Sequence, residues 1–299
     1  MAAPARPPVY WRTVLAAISV ERVSRSFVID GRALTVLDDI SFTVPAHGIV
    51  AVLGPNGSGK STMLRLIAGL LVPDSGSITI DGQPVADADQ RVGLVFQEPR
   101  LLPWRTTGDN VSFPLELAGV DRAERAERAR RLLDLVGLAR FEKAYPHQLS
   151  GGMRQRAAIA RALARDPHIL LLDEPFSALD SLTRERFNAE LLELWQRTGT
   201  TIVLVTHSIA EAVFLADEVV VLTARPGRVA ARVGVPLGRP RLAEALDSAA
   251  FSRTAAAIRA HLAGTPAEID AQEQAGAPIH DVLERAGAPA WFDPFGGRG

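Results

Sequence analysis

The sequence predicts an α/β fold built on a largely parallel sheet, and three observations carry this prediction. Short apolar runs have the length of strands but do not alternate with polar residues, as expected for strands buried on both faces. They lie at 49–53, 169–172, 202–205 and 219–222. Helical segments at 61–71, 153–165 and 184–197 separate them, an order typical of parallel sheets. More polar segments at 19–29, 41–44 and 77–80 read as exposed strands of a smaller antiparallel sheet.

The composition excludes several classes of protein. The 299 residues include 33 Lys+Arg and 34 Asp+Glu, so the charge balance gives no overall basic footprint for nucleic acid. The absence of cysteine excludes disulfides, thiolate metal sites and cysteine nucleophiles. None of the apolar runs approaches the ~18 residues that a membrane-spanning helix needs.

The two ends of the chain differ in texture from its centre. Residues 1–19 loosely imitate a signal peptide, but the apolar run at 14–18 is too short and prolines lie in the basic part. We therefore expect a disordered leader over 1–18. From residue 226 onward the chain becomes rich in Ala, Gly and Pro, with a short helix expected near 243–262. The tail at 264–299 is either regulatory or a plain flexible extension.

The segment 54–61 carries phosphate-binding chemistry. It fits the pattern G-x-x-x-x-G-K-[ST] and lies between an apolar strand and a helix. Its glycines let backbone N–H groups close around phosphate oxygens, and the helix N-terminus adds positive potential. We expect Lys60 to reach the β- and γ-phosphates, Ser61 to ligate Mg²⁺ and Thr62 to hydrogen-bond a phosphate. The expected nucleotide-binding residues are Gly54, Pro55, Asn56, Gly57, Ser58, Gly59, Lys60, Ser61 and Thr62; the alternative is a glycine turn without a ligand.

Two acids, Asp173 and Glu174, follow the apolar run at 169–172. The carboxyl end of a strand is where an open α/β sheet places ligand chemistry. We expect Asp173 to hold Mg²⁺ through water, and Glu174 to orient and polarise the water that attacks the γ-phosphate. A buried structural acid pair is the alternative.

The run Leu-Ser-Gly-Gly-Met-Arg-Gln-Arg at 149–156 resembles the signature motif of ABC ATPases. Ser150, followed by Gly151 and Gly152, opens the predicted helix and presents a hydroxyl and backbone N–H groups. The resemblance implies that these three residues contact ATP held by another subunit. Standing alone, the run would be an ordinary helix cap. Met153 departs from the glutamine that is commoner after the signature glycines.

Other segments resemble elements of the same family. Gln97, after an expected strand at 92–96, resembles the Q-loop glutamine, which implies a ligand of Mg²⁺ and water. Asp180 closes a run that resembles the D-loop. His207 resembles the switch histidine, which implies contact with the γ-phosphate and help in holding the catalytic glutamate. Phe27 lies where the family has an aromatic residue stacked on adenine, with a core phenylalanine as the alternative.

The resemblance implies a P-loop NTPase (RecA-like) core with a small antiparallel β subdomain and an inserted α-helical subdomain. We expect the ABC-type ATPase domain at 19–240, with the helical subdomain at about 97–165. The C-terminal helix and flexible tail take 241–299. The implied ligands are ATP and Mg²⁺.

One phosphate loop and one signature imply a head-to-tail dimer with a second copy of the chain, in which each ATP site is completed in trans. The apolar stretch 97–104, with Trp104 expected to be exposed, would receive an integral membrane permease subunit. Packing within the helical subdomain is the alternative for this stretch.

Finer resemblance at 101–105, 211–217 and 224–228 is to nitrate/sulfonate/taurine-type importers. It implies an ATPase at the cytoplasmic face of the inner membrane, working with a periplasmic or lipid-anchored solute-binding protein and no nucleic acid. The solute would be a small anionic, sulfonate, nitrate or pyrimidine-type molecule. The alternatives are a soluble ABC-type ATPase acting on a macromolecule and the ATPase of an exporter.

Overall fold

The computed structural model describes residues 16–29, 31–177 and 180–263, in which strands and helices alternate. The strands are β1 (Ala16–Ile29), β2 (Arg32–Pro45), β3 (Ile49–Leu53), β4 (Ser75–Ile80), β5 (Gln83–Pro84), β6 (Val92–Val95), β7 (Ile169–Asp173), β8 (Thr201–Thr206), β9 (Glu218–Leu222) and β10 (Val229–Gly234). The α-helices are α1 (Lys60–Ile67), α2 (Thr107–Leu117), α3 (Arg122–Leu135), α4 (Gly151–Leu163), α5 (Ser181–Thr198), α6 (Ile209–Leu215) and α7 (Ala249–Ala263).

The larger sheet has the strand order β10-β9-β3-β8-β7-β6. All its neighbouring strands are parallel except β10, which runs antiparallel along β9. Strands β3, β8 and β9 are buried along their whole length because helices or the second sheet cover both faces. The predicted largely parallel sheet is therefore confirmed, and its carboxyl edge collects the ends of β3, β7 and β8.

The smaller sheet has the order β2-β1-β4-β5, and its pairs are antiparallel, as the polar strand segments predicted. Its apolar face packs on the larger sheet, where Ile18, Ile40 and Phe42 share one buried cluster with Val50 and Val52. The predicted leader over 1–18 lies mostly outside the described residues. Residues 16–18 depart from it, because they belong to β1 and bury Ile18 in this cluster.

Helices α2, α3 and α4 pack on one another around a separate apolar cluster that includes Val111, Leu133 and Ala157. Thr106 caps α2 by accepting a hydrogen bond from the Asp109 N–H. These three helices, the helical layer, are inserted between β6 and β7, so they lie beside the carboxyl edge of the larger sheet.

The C-terminal segment departs from the single helix expected near 243–262. A 3-10 turn spans Ala243–Asp247 and α7 begins at Ala249. Ser248 separates them because its backbone is extended and its hydroxyl accepts a hydrogen bond from the Phe251 N–H. Within the described residues, no helix combines the length and the apolarity that crossing a membrane requires. The predicted tail at 264–299 lies outside the described residues.

Candidate phosphate-binding and catalytic site

The phosphate loop connects β3 to α1, and its shape depends on glycine. Gly57 and Gly59 have φ of 77° and 90°, a region that other residues rarely adopt. A Cβ on Gly59 would lie 2.5 Å from Cδ2 of Leu37. No side chain caps α1, so the N–H groups of its first turn remain available to an anion.

Lys60 lies over the mouth of this loop. Its ammonium donates hydrogen bonds to the carbonyl oxygens of Gly54 and Pro55, at 3.0 and 3.1 Å. Burial lowers the pKa of Lys60, while the charges of Glu174 and Asp173 act in the opposite direction. Its Nζ lies 3.8 Å from Oε1 of Glu174. The ammonium therefore lies between the phosphate loop and the acidic end of β7.

The loop has an interior suited to oxygen atoms. The hydroxyl of Ser58 is buried and has no hydrogen-bond partner among the described residues. A second loop packs closely behind, since a Cβ on Gly227 would lie 2.1 Å from the Ser58 carbonyl oxygen. The Nε of Arg225 donates to the carbonyl of Gly57 at 3.3 Å. This backing fixes the loop around the space that phosphates would fill.

Ser61 and Asp173 form a pair suited to Mg²⁺. The Ser61 hydroxyl donates to Oδ1 of Asp173 at 3.0 Å. Burial raises the pKa of Asp173, and the Ser61 hydrogen bond opposes that rise. Over the described part of the chain, no group of three or more His, Cys, Asp or Glu side chains is arranged so that it could hold a metal ion by itself. One hydroxyl and one carboxylate still fit Mg²⁺, which usually takes its other ligands from phosphates and water.

Glu174 and His207 meet at the end of β7 and β8. The imidazole Nδ1 lies 3.1 Å from Oε2 of Glu174. Glu174 has φ of 43°, which is uncommon for a residue with a Cβ and turns its side chain away from the strand direction. Its N–H still donates to the Val205 carbonyl at 2.9 Å, which anchors the turn to β8. Such backbone outliers cluster at active sites.

Gln97 reaches the same turn through a residue that the sequence reasoning did not assign. Its Nε2 donates to the hydroxyl of Ser177 at 3.3 Å, and that hydroxyl donates to the Glu174 carbonyl at 3.1 Å. Ser177 begins the run that resembles the D-loop, but the sequence predicts no role for its hydroxyl, because the contact depends on how β6 and β7 align. Glu211 was also missed, although Ser208 and Glu211 have the spacing of a helix capping box.

The structure thus gathers Lys60, Ser61, Gln97, Asp173, Glu174 and His207 at one edge of the larger sheet. The signature residues lie elsewhere, at the start of α4. Ser150 caps this helix by accepting from the Met153 N–H at 3.3 Å. Gly151 is exposed, whereas Gly152 is buried, with room for no Cβ beside the ring of Phe187.

Asp180 and Phe27 also lie apart from the acids. Asp180 caps α5 by accepting from the Thr183 N–H at 3.0 Å. Phe27 pairs with Leu34 across β1 and β2 and is partly buried. The Arg25 guanidinium carbon lies 5.0 Å from the centre of its ring. Its packing fits a core phenylalanine, and its remaining exposure fits an aromatic residue that stacks on adenine. Both alternatives that the sequence left open therefore remain.

Comparison with known proteins agrees with this arrangement. The family model described as ABC transporter matches residues 37–177. An uncharacterised ABC transporter ATP-binding protein of Methanocaldococcus jannaschii is 50% identical over 75% of this chain and 84% of its own length. Taurine import ATP-binding proteins are similarly related, at 49% identity in Pseudomonas savastanoi pv. phaseolicola and 50% in Rhizobium johnstonii. They cover 75% and 73% of this chain and 85% and 83% of their own lengths.

Solved structures give the same result for the fold. The ATP-binding cassette MJ0796, in a dimeric post-hydrolysis state bound to ADP and Pi, aligns with a TM-score of 0.66 and 34% identity. The alignment covers 74% of this chain and 99% of that one. The protein cbiO1 from Clostridium perfringens, described as part of the ABC transporter complex cbiONQ, aligns at a TM-score of 0.67 and 29% identity, over 74% of this chain and 89% of its own. Since relatives about half identical are covered over most of their length, the chain belongs to the ATP-binding proteins of ABC transporters.

Proposed function

We propose that this chain binds ATP with Mg²⁺, hydrolyses it and thereby drives the import of a small solute through a membrane permease. The observation that carries the catalytic part is the placement of Glu174, which lies between His207 and Lys60 at the mouth of the phosphate loop. A carboxylate held there can orient a water against a bound γ-phosphate.

Each side chain at the sheet edge has a role in this proposal. The N–H groups of the phosphate loop and Lys60 bind the β- and γ-phosphates, and Thr62 adds a hydroxyl. Ser61 and Asp173 hold Mg²⁺, with Gln97 as a further ligand. A Mg²⁺ ion held there would supply positive charge for the phosphate oxygens as negative charge develops on them.

The hydrolytic step rests on two further residues. Glu174 accepts a hydrogen bond from the attacking water and takes its proton as the oxygen bonds to the γ-phosphorus and the bond to the β-γ bridging oxygen breaks. His207 holds the carboxylate of Glu174 in place and contacts the γ-phosphate. Gln97 is linked through Ser177 to the Glu174 carbonyl. A movement of the Glu174 turn would therefore be passed to Gln97 and to the helical layer that follows it.

The separation of the signature from the phosphate loop supports a head-to-tail dimer. Ser150 and Gly151 face outward at the start of α4, so they are available to ATP held by a second copy. The similar cassette MJ0796 is described as dimeric. We propose that Asp180 lies at the same interface and that the ATPase domain spans 19–240, with 241–299 as an appended helix and tail.

The proposed partners are integral membrane permease subunits, contacted at the cytoplasmic face of the membrane. Trp104 is 71% exposed and Leu117 74% exposed, both on the helical layer. Asn110 fixes the segment before α2 by bonding the N–H and carbonyl of Leu102, so this apolar surface is presented in a fixed shape. Relatives named for taurine import at 48–50% identity support a sulfonate as the solute, delivered by a solute-binding protein.

The proposal is tested in the assembled transporter. The chain is co-expressed with candidate permease subunits, purified as a complex and placed in vesicles with a solute-binding protein. We expect ATP-dependent uptake of radiolabelled taurine or a related sulfonate, and loss of uptake when Lys60→Ala replaces the wild-type chain. Co-purification only with ribosomes or DNA would contradict the transport role, and ATP-driven efflux would contradict import.

A further inference from the structure

A second buried carboxylate, Glu211, lies beside the proposed catalytic pair and has no part in the mechanism above. It belongs to α6, the helix that begins directly after the His207 turn, and it is 5% exposed. It lines a small cleft together with Glu174, Arg184 and His207.

Glu211 is bonded to both residues that flank His207. The Thr206 hydroxyl donates a short hydrogen bond to Oε2 of Glu211. That same hydroxyl oxygen accepts from the Ser208 N–H at 3.0 Å, and the Ser208 hydroxyl accepts from the Glu211 N–H at 3.3 Å. Thr206, Ser208 and Glu211 therefore close a ring of hydrogen bonds around the turn that carries His207.

The His207 side chain itself is little constrained by packing. It is 51% exposed, and its Nδ1 faces Oε2 of Glu174 at 3.1 Å. A half-exposed imidazole keeps one orientation only if the backbone that carries it is fixed. The hydrogen bonds among Thr206, Ser208 and Glu211 supply that restraint.

The other oxygen of Glu211 points to a role beyond filling the core. Its Oε1 is buried and has no hydrogen-bond partner within the part of the chain that is described. An unpaired buried acceptor disfavours folding, so a carboxylate is a costly way to fill this space. Burial raises the pKa of Glu211, while the Thr206 hydrogen bond and the charges of Arg184 and His207 act against that rise.

We propose that Glu211 is a positioning residue that acts through Thr206 and Ser208 to hold His207 against Glu174. This inference rests on the proposed function, since it matters only if His207 assists ATP hydrolysis. The inference concerns how the His207 imidazole is held, and it adds no new step to the reaction.

The test is a set of paired variants assayed for ATP hydrolysis by the full-length chain. Glu211→Ala and Thr206→Val break the ring, and we expect each to lower kcat about tenfold or more, with the KM for ATP within about twofold of wild type. Glu211→Gln and Thr206→Ser keep an acceptor and a hydroxyl, so both should retain more than about half of the activity. Thr201→Val is the matched control, because Thr201 is buried at the opposite end of the same strand and its hydroxyl accepts from the His47 N–H.

A double-mutant cycle separates positioning from a general loss of structure. In the His207→Ala background, Glu211→Ala should cause little further loss of kcat, because the residue it positions is already gone. Additive losses, or full activity in both Glu211→Ala and Thr206→Val, would overturn the inference. If Glu211→Ala fails to fold by circular dichroism, Thr206→Val and its serine rescue give the answer alone.

The same assays distinguish the two levels of the proposal. If the wild type does not hydrolyse ATP, or if His207→Ala is fully active, the proposed function itself fails. If those two behave as expected and the ring-breaking variants remain active, only the role of Glu211 is wrong.

Discussion

Gly59 is the residue at which the phosphate loop is most tightly restricted. It combines a positive φ with a contact that leaves no room for a Cβ beside Leu37. Both restrictions act on the loop that the sequence pattern identified without any structural information. The glycine of the motif is explained by the geometry of the loop, since only glycine tolerates both the positive φ and the close contact with Leu37.

Gly59→Ala should therefore abolish most ATP binding while the fold survives. The added methyl must displace Leu37 or the loop, and either shift moves the N–H groups that bind phosphate. Isothermal titration with ATP and Mg²⁺ measures the effect, and we expect the Kd to rise about tenfold or more.

Gly82→Ala is the matched control for this substitution. Gly82 also has a positive φ, 72°, but a Cβ there meets no atom within 4 Å. The control should cost roughly 1 kcal/mol of stability and leave ATP affinity unchanged. Equal loss of affinity in both variants would show that a general loss of stability, and not the contact with Leu37, lowers the affinity for ATP.

The site shows where sequence reasoning is sufficient at the residue scale. Asp173 and Glu174 directly follow one apolar run, and Lys60 closes the phosphate-loop pattern that follows another, so the strand ends and the motif predict their meeting. Ser177 makes its contact with Gln97 only after β6 and β7 are aligned, and no spacing pattern records that alignment. Glu211 has a capping-box spacing to Ser208, but that spacing does not show that its carboxylate accepts from Thr206.

At the scale of elements, the start of β6 is fixed by one buried ion pair. Asp89 is 6% exposed, and Arg91 donates to it through Nε at 2.9 Å. The Arg91 guanidinium also bonds the carbonyl of Ile80 at 2.6 Å, which ties β6 to β4. The pair therefore joins the two sheets beside the helical layer.

This pair should make the protein sensitive to acid. Hydrogen bonds from Arg91 lower the pKa of Asp89 to about 2. Because the folded-state pKa lies below the unfolded value of about 3.9, the stabilisation is fully present above that value and is lost as pH falls towards 2. Urea unfolding from pH 7 to pH 2.5 should show that Asp89→Asn loses stability at pH 7 and has a flatter acid limb than the wild type.

Asp87→Asn provides the comparison, because Asp87 is an exposed neighbour on the same loop. Its unfolding curve should follow the wild type at every pH. An unchanged acid limb in Asp89→Asn would mean that other carboxylates, and not this pair, set the acid response.

The end of α6 depends on a residue from outside the helix. Arg241, 5% exposed, donates through Nη1 to the carbonyls of Val213, Phe214 and Ala216, at 3.2, 2.9 and 2.7 Å. These are carbonyl groups that a helix end leaves without partners. The segment leading to α7 therefore caps the helix that follows His207.

Arg241→Ala should destabilise the fold by roughly 2–4 kcal/mol, because the carbonyls it serves become buried without partners. Thermal unfolding measures the loss. Arg253→Ala, on the exposed face of α7, is the control and should change the midpoint little. A midpoint shift of equal size in both variants would show that α7 itself, and not the cap, carries the effect.

Elements whose sequence has one strong hydrophobic pattern were predicted, and elements with a mixed pattern were not. The buried strands β3, β7, β8 and β9 are continuous apolar runs, so their positions follow directly from the sequence. The first half of β2 and the whole of β10 are polar or alternating edge segments, and pairing with a neighbour determines them. Charge pairing on α3 likewise depends on a neighbouring element, because Arg125 pairs with Glu116 of α2.

At the scale of the whole molecule, the two parts of the proposed ATP site lie on different layers of the chain. The phosphate loop lies on the larger sheet and Ser150 on the helical layer. In the proposed mechanism, one reaction therefore needs two copies of the chain. ATP would stabilise the closed pair because it contacts both copies, and hydrolysis would remove those contacts.

The rate of ATP hydrolysis by Glu174→Gln, compared with the wild type, shows whether Glu174 is the base that activates water. The amide keeps the size of the side chain but cannot take a proton from water. We expect turnover to fall roughly a hundredfold or more, while ATP still binds and gel filtration with ATP shows a dimer. Hydrolysis at the wild-type rate would contradict the assignment of Glu174 as the base and, with it, the proposed mechanism.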